Sequence, residues 1–480
     1  MSQFSRSSVH LDVDAGTSFS PPERPESDTP FRILLMGDFS GRANRRAPMP
    51  ARLKPVRVDR DNLDQVLAGM GASLELGRQG SGILLRFREM EDFHPDRIYR
   101  QSAIFDQIEE TRARLADPAT FVETAAALGR AKREVRPPAS TAAAASSLSS
   151  GANLLDDILD ASEGTPAATA RRPDELRAFI DRAVAPHTVA REDPQLPELM
   201  AEVDAKASRL MRAVLHDPDF QALEAAWRAV FLLARGLETG PELKIYLLDV
   251  TKAELAGDVS GLHRLLVEES SIPGAEPWAV IAGNYSFART TADLALLANL
   301  AKVARGAGAP FLAEADPAGD PDTEEAAQLW HTLRHWPGAS WVGLALPRFL
   351  LRLPYGEKTD TIENFAFEEM PGKPEHGHYL WGNPAFACVY LLGQSFVQEG
   401  WDLRPGTQQE IHGLPLHVYE VDGEQQLKPC AEVWMSEKDA EWIMEQGFMP
   451  LASLKNQDTV RLVRFQSIAE PATALSGRWA

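Results

Sequence analysis

The chain has 480 residues, enough for about two to four domains, and 44% of them are aliphatic or aromatic, enough to bury real cores. Lys and Arg number 49 against 69 Asp and Glu, a formal charge of −20, so phosphate neutralisation and nucleic-acid binding are poor expectations. No apolar run reaches the ~18 residues that a membrane helix needs, residues 1–16 lack the apolar core of a secretory signal, and the two cysteines, Cys388 and Cys430, show no zinc-ligand spacing. These features describe a cytoplasmic protein with two buried thiols and no membrane insertion.

Residues 1–30 are rich in Ser, Pro and charge and read as a mobile arm. Within it the alternation of Val9, Leu11 and Val13 with His10 and Asp12 suits a strand that pairs with something else. Residues 31–128 read as a compact α/β domain. Phe31-Arg32-Ile33-Leu34-Leu35-Met36 is a buried-strand run ending at Gly37-Asp38. Residues 55–58 and 82–87 are further strands, Asp61-Asn62 opens a helix carrying Leu63, Val66 and Leu67, and a single helix is expected over 97–115. Residues 129–172 form a linker, because a stretch dominated by Ala, Ser, Pro and Thr cannot bury enough apolar area to offset its ordering entropy. One island interrupts it: Leu154, Leu155, Ile158 and Leu159 share one face of a short helix with Asp156 and Asp157 between them. It is a docking peptide or a chance cluster.

Residues 173–480 begin with a helical region. Leu176, Phe179, Ile180, Ala183 and Val184 have helical spacing, as do Leu199, Met200, Val203, Leu210, Met211 and Val214. Asp217-Pro218 is an N-cap with Pro at the first helical position. The helix that follows lines up Phe220, Leu223, Trp227, Val230, Phe231 and Ala234. Strands then alternate with helices: 243–250, 278–281, 310–313, 341–346, 416–419 and 460–465 are strands, and 293–304, 386–396 and 437–446 are helices. The pattern is that of a layered α/β domain.

The sequence carries no recognisable catalytic constellation. No Gly-rich phosphate loop precedes Lys and Ser or Thr, and Gly306-Ala307-Gly308 reads as a helix end. His331 and His335 share a helix face without the Glu of a zinc-protease motif, and His376, His378, His412 and His417 read as turn or surface residues. Ser395 lies within a helix and not on a nucleophile elbow. Arg348 and Arg352, placed among apolar residues, are expected in buried ion pairs with Glu368 or Glu369. Catalytic residues, metal and cofactor are all expected to be absent.

Met36-Gly37-Asp38-Phe39-Ser40-Gly41, then Val58-Asp59-Arg60-Asp61-Asn62-Leu63, then Met90-Glu91-Asp92-Phe93-His94-Pro95-Asp96 resemble, in order and spacing, the small sheath subunit of type VI secretion systems (TssB/VipA family). Val214-Leu215-His216-Asp217-Pro218-Asp219-Phe220, Leu346-Pro347-Arg348-Phe349-Leu350-Leu351-Arg352, Tyr379-Leu380-Trp381-Gly382-Asn383-Pro384, Gly413-Leu414-Pro415-Leu416-His417 and Gly447-Phe448-Met449-Pro450-Leu451 resemble the large sheath subunit (TssC/VipB family). The resemblance implies a non-enzymatic fusion of both subunits that assembles as a contractile sheath around an inner tube, above a baseplate. It further implies recycling by a ClpV-type AAA+ ATPase gripping a helix like Leu154-Leu155-Asp156-Asp157-Ile158-Leu159, and neighbouring subunits stitched by exchanged strands such as Val9 to Val13. The family's large subunit continues well beyond the block at Gly447, its small subunit has a longer helical tail, and its loop corresponding to residues 400–406 is longer. These departures carry an alternative: a sheath-like accessory that docks on a baseplate, a sheath end or a canonical sheath without polymerising.

Overall fold

The computed structural model describes residues 24–50, 52–77, 83–134, 193–316 and 321–479. The chain divides into two units, one of residues Met1–Asp106 with Lys206–Ala480 and the other of Gln107–Ala205.

The larger unit is built on a sheet of nine strands. In chain order the strands are β1 (Phe31–Gly37), β2 (Val56–Val58), β3 (Ser73–Leu76), β4 (Ile83–Arg86), β5 (Leu243–Asp249), β6 (Val280–Phe287), β7 (Phe311–Ala315), β8 (Val342–Leu346), β9 (Phe349–Leu350), β10 (Trp381–Gly382), β11 (Glu410–Ile411), β12 (His417–Val421), β13 (Glu424–Lys428), β14 (Phe448–Ser453) and β15 (Val460–Leu462). The sheet order is β11-β15-β14-β8-β7-β6-β1-β5-β2, with β3–β4, β9–β10 and β12–β13 as separate pairs. The six strands from β14 to β5 run parallel; β2 pairs antiparallel with β5 at one edge, and at the other β15 pairs antiparallel with β14 and β11 antiparallel with β15.

β1 is inserted between strands from more than 200 residues later. It pairs with β5 from Phe31 opposite Leu243 to Gly37 opposite Asp249, and with β6 from Ile33 opposite Val280 to Met36 opposite Gly283. Its near-continuous apolar run suits a parallel strand covered on both faces. The segment read as a first domain therefore shares a sheet with the segment read as a second, within one chain.

In the first segment α1 (Arg42–Arg45) and α2 (Leu63–Met70) follow β1 and β2. The single helix expected over 97–115 is two, α3 (Pro95–Gln101) and α4 (Ala103–Ala116). Ser102 between them is extended (φ −111°, ψ 116°), and its carbonyl accepts the Phe105 N–H at 2.9 Å to start the second helix. Then come α5 (Phe121–Glu134), α6 (Leu196–Leu215) and α7 (Pro218–Gly236). In the smaller unit, Ile108, Leu115, Phe121 and Val203 are buried and Arg112 lies 3.3 Å from Asp204.

The later helices are α8 (Lys252–Gly257), α9 (Ser260–His263), α10 (Thr291–Ala307), α11 (Glu324–His335), α12 (Pro384–Glu399) and α13 (Glu437–Glu445). Alternate residues of β1 show the layering. Leu34 and Met36 join a core with Leu297, Ala301 and Leu329 of α10 and α11. Phe31 points the other way and stacks on Phe396 of α12 at 4.7 Å. Helix α12 covers that second face, with α7 packed against α12, so the sheet is the middle of three layers.

Caps form where the residue types predict. The Asp217 carboxylate accepts the Asp219 and Phe220 N–H groups at 2.9 and 3.3 Å, with Pro218 at the first helical position. Thr251 and Glu254 make a reciprocal capping box on α8. Gly308 ends α10 in the left-handed region (φ 64°), which accounts for the Gly306-Ala307-Gly308 run.

Candidate functional site

Two polar clusters hold the architecture together. The first lies where β1 leaves the sheet. The chain must turn sharply after Gly37, and Asp249 at the end of β5 receives it: its Oδ1 accepts the Phe39 and Ser40 N–H groups at 2.9 and 3.2 Å, and its Oδ2 accepts the Ser40 hydroxyl at 2.8 Å. Arg42 lies 3.0 Å from Asp249 and 3.1 Å from Glu254. Burial pushes the Asp249 carboxyl upward, opposed by the Ser40 hydroxyl and Arg42. The Trp227 indole of α7 donates to the Phe39 carbonyl at 2.8 Å. Asp38 caps α1 by accepting the Arg42 and Ala43 N–H groups. Gly41 has φ 71°, and a Cβ there would meet the Ser73 carbonyl oxygen at 2.5 Å, so the turn requires glycine. The Met36-Gly37-Asp38-Phe39-Ser40-Gly41 run is thus the joint between the first segment and the later sheet.

The second cluster centres on Arg352, which is buried. Its guanidinium donates to Glu224 at 2.8 and 3.2 Å and to Glu369 at 2.7 and 3.1 Å. Arg228 donates to Glu224 at 2.7 Å and to the Tyr355 hydroxyl at 2.9 Å, and the Tyr355 N–H donates to Glu369 at 2.8 Å. Burial by itself would raise the Glu369 carboxyl, but Arg352, His216 with its Nε2 at 3.5 Å, and the hydrogen bond of the Tyr355 amide outweigh it and hold the group at about 2. Burial pushes the Tyr355 phenol up to about 12. The cluster ties residues 352–369 to α7. It is closed on itself, with each charge facing an opposite charge, which suits a rigid strut better than proton transfer.

The expected pairing of Arg352 with Glu369 is present, and Glu224 is an additional partner that sequence reasoning missed. Arg348 pairs instead with Glu432, at 3.0 and 2.5 Å, and His376 also reaches Glu432 at 3.0 Å. Glu368 accepts the Glu357 N–H at 3.0 Å. Cys388 and Cys430 are buried free thiols, and burial pushes them to about 12 and about 11. The rings of His331 and His335 lie 4.1 Å apart, and among the described residues no group of three His, Cys, Asp or Glu could hold a metal ion.

Val9, Leu11 and Val13 lie outside the described residues, as do Leu154, Leu155, Asp156, Asp157, Ile158 and Leu159. Exposed surfaces that the sequence did not single out are the β12–β13 hairpin, with Val418 at 52% exposure, and the pair Trp434 and Trp442 at 51% and 55%.

The family model described as the EvpB/VC_A0108 tail sheath N-terminal domain (VipB) matches residues 197–319 and 321–469. The chain belongs to the VipB tail sheath family. A second model, described as type VI secretion system VipA, VC_A0107 or Hcp2, matches residues 6–136, so one chain carries both sheath families in tandem. A curated relative, the type VI secretion system sheath protein TssC1 of Pseudomonas aeruginosa, is 34% identical over a 308-residue alignment that covers 58% of this chain. The match spans 62% of that relative's length. A chain in a cryo-EM structure of the anti-feeding prophage baseplate is similar at a TM-score of 0.30 and 14% identity over 51% of each chain, too slight a likeness to carry an argument. Both matched families are structural sheath families. No helix among the described residues is long and apolar enough to cross a membrane.

Proposed function

We propose that this VipB-family chain is a fused sheath protomer, with a small-subunit portion at residues 31–128 and a large-subunit portion at 173–480, that assembles in the cytoplasm around an inner tube above a baseplate. The observation that supports this reading best is the placement of β1 between β5 and β6. Each chain then contains its own matched pair of small and large portions, as a repeating unit needs. On this reading Val9, Leu11 and Val13 form an exchanged strand that stitches neighbouring copies, and Leu154 to Leu159 is the helix gripped by a ClpV-type AAA+ ATPase.

Negative-stain microscopy of the purified full chain tests the assembly. Tubules are expected. Discrete particles that decorate only the ends of a separately assembled sheath would replace the protomer reading with that of a docking accessory. For the helix, Leu155→Asp is expected to abolish calorimetrically measured binding to the ATPase N-domain while leaving thermal unfolding unchanged. An unaltered affinity removes the docking role.

A further inference from the structure

The β12–β13 hairpin stands apart from the main sheet, and its outer edge carries an unused set of backbone groups. The turn Asp422-Gly423 has φ 53° and 83° at its two residues, the primed geometry of a two-residue hairpin. Its closing pair, Val421 and Glu424, is therefore hydrogen-bonded, and so are Tyr419 with Gln426 and His417 with Lys428. By the same alternation the N–H and C=O groups of Val418 and Glu420 point away from β13. Among the described residues no backbone group of another segment reaches them.

That edge, with Val418 and Glu420 exposed, lines an open groove of ≈ 580 Å³ together with residues of the 353–374 stretch, Leu353, Pro354, Met370 and Pro371 among them. The groove thus combines free backbone partners with apolar and charged side chains, which is what an extended strand of alternating character needs from a receptor. Its charged lining residues are Glu357, Glu368 and Glu420 against Lys358. His417 adds no positive charge near neutrality, since burial lowers its pKa and its Nδ1 is 2.7 Å from the Tyr379 hydroxyl.

We propose that the groove beside β12 accepts an extended strand of a partner protein in which apolar residues alternate with Lys or Arg, pairing with the backbone of Val418 and Glu420. The chain's own arm suits it poorly, because Val9 to Val13 carries Asp12 and no Lys or Arg.

The test is fluorescence anisotropy on the full chain with labelled peptides of about seven residues. One alternates Val with Lys, a second alternates Val with Glu, and a third is residues 7–15 of this chain. The Val/Lys peptide is expected to bind at least roughly tenfold more tightly than either of the others. Methylating the amide nitrogens of every second residue should abolish binding in one phase of the alternation and leave it in the other. Combining Glu357→Lys with Glu420→Lys should weaken the Val/Lys peptide and strengthen the Val/Glu peptide. Equal binding of all three peptides, equal sensitivity to both methylation phases, or tighter binding of residues 7–15 overturns the proposal. The methylation pair uses the unaltered chain, so it decides even if the double variant does not fold.

Discussion

At the residue scale, the strongest commitments are buried charges. Removing Arg352 by Arg352→Leu leaves Glu369 buried without its guanidinium and Glu224 with Arg228 alone, and a loss of about 3–5 kcal/mol is expected in denaturant unfolding. Glu314 of β7 behaves in the opposite sense to Glu369. Burial, only partly offset by Arg348 and Ser286, raises its carboxyl to about 7. Its folded pKa exceeds its unfolded value, so the folded chain binds the proton more tightly, and stability falls as pH rises from 4.5 through about 7. The drop is roughly 3 kcal/mol, and Glu314→Gln is expected to flatten that part of the pH–stability curve. Arg352 was legible as a buried partner because it stands among apolar residues. Glu224 was legible in principle: it lies one residue after Leu223 on the stripe of Phe220 and Trp227, where a carboxylate has to find a cation. One partner, Arg228, stands four residues on at helical spacing, but the other, Arg352, is 128 residues away, and no spacing rule connects it to Glu224.

At the element scale, type and existence were mostly readable, and neighbours were not. The run of Phe31 to Met36 announces a strand buried on both faces, and it is one. Nothing local says that its neighbours are β5 and β6, because register between distant strands is chosen by packing. The break at Ser102 escaped for a related reason, since apolar spacing continues on both sides of one extended residue. The turn after β1 rests on a single backbone conformation. Gly41→Ala is expected to lower the unfolding midpoint, because a left-handed φ and a 2.5 Å approach to the Ser73 carbonyl must both be relieved. A loss of about 1–3 kcal/mol is the scale of such strain, and an unchanged midpoint would mean that the turn rearranges freely.

At the scale of the whole molecule, the sequence announced two portions joined by a low-complexity linker, and the structure places strands from both in one sheet. Residues 129–134, expected in the linker, continue α5, and residues 135–172 lie outside the described residues. Whether the portions pair within or between chains was invisible in the sequence, because both arrangements bury the same apolar faces. The sheet order predicts the outcome of cutting the linker. A specific protease site inserted after Ser150 should yield two fragments that co-elute in size-exclusion chromatography and separate only in denaturant. Fragments that part in native buffer would show that β1 is dispensable to the sheet.

The position of β1 also governs how the protein comes into being. It is translated early, yet the first strand to flank it, β5, begins 212 residues later, counting from Phe31 to Leu243. At roughly 5–20 residues per second a ribosome needs about 10–40 s to cover that distance. For that interval a strand apolar on both sides waits without its sheet neighbours, open to wrong pairing, and slowing elongation within the intervening stretch should lower the yield of correctly folded product.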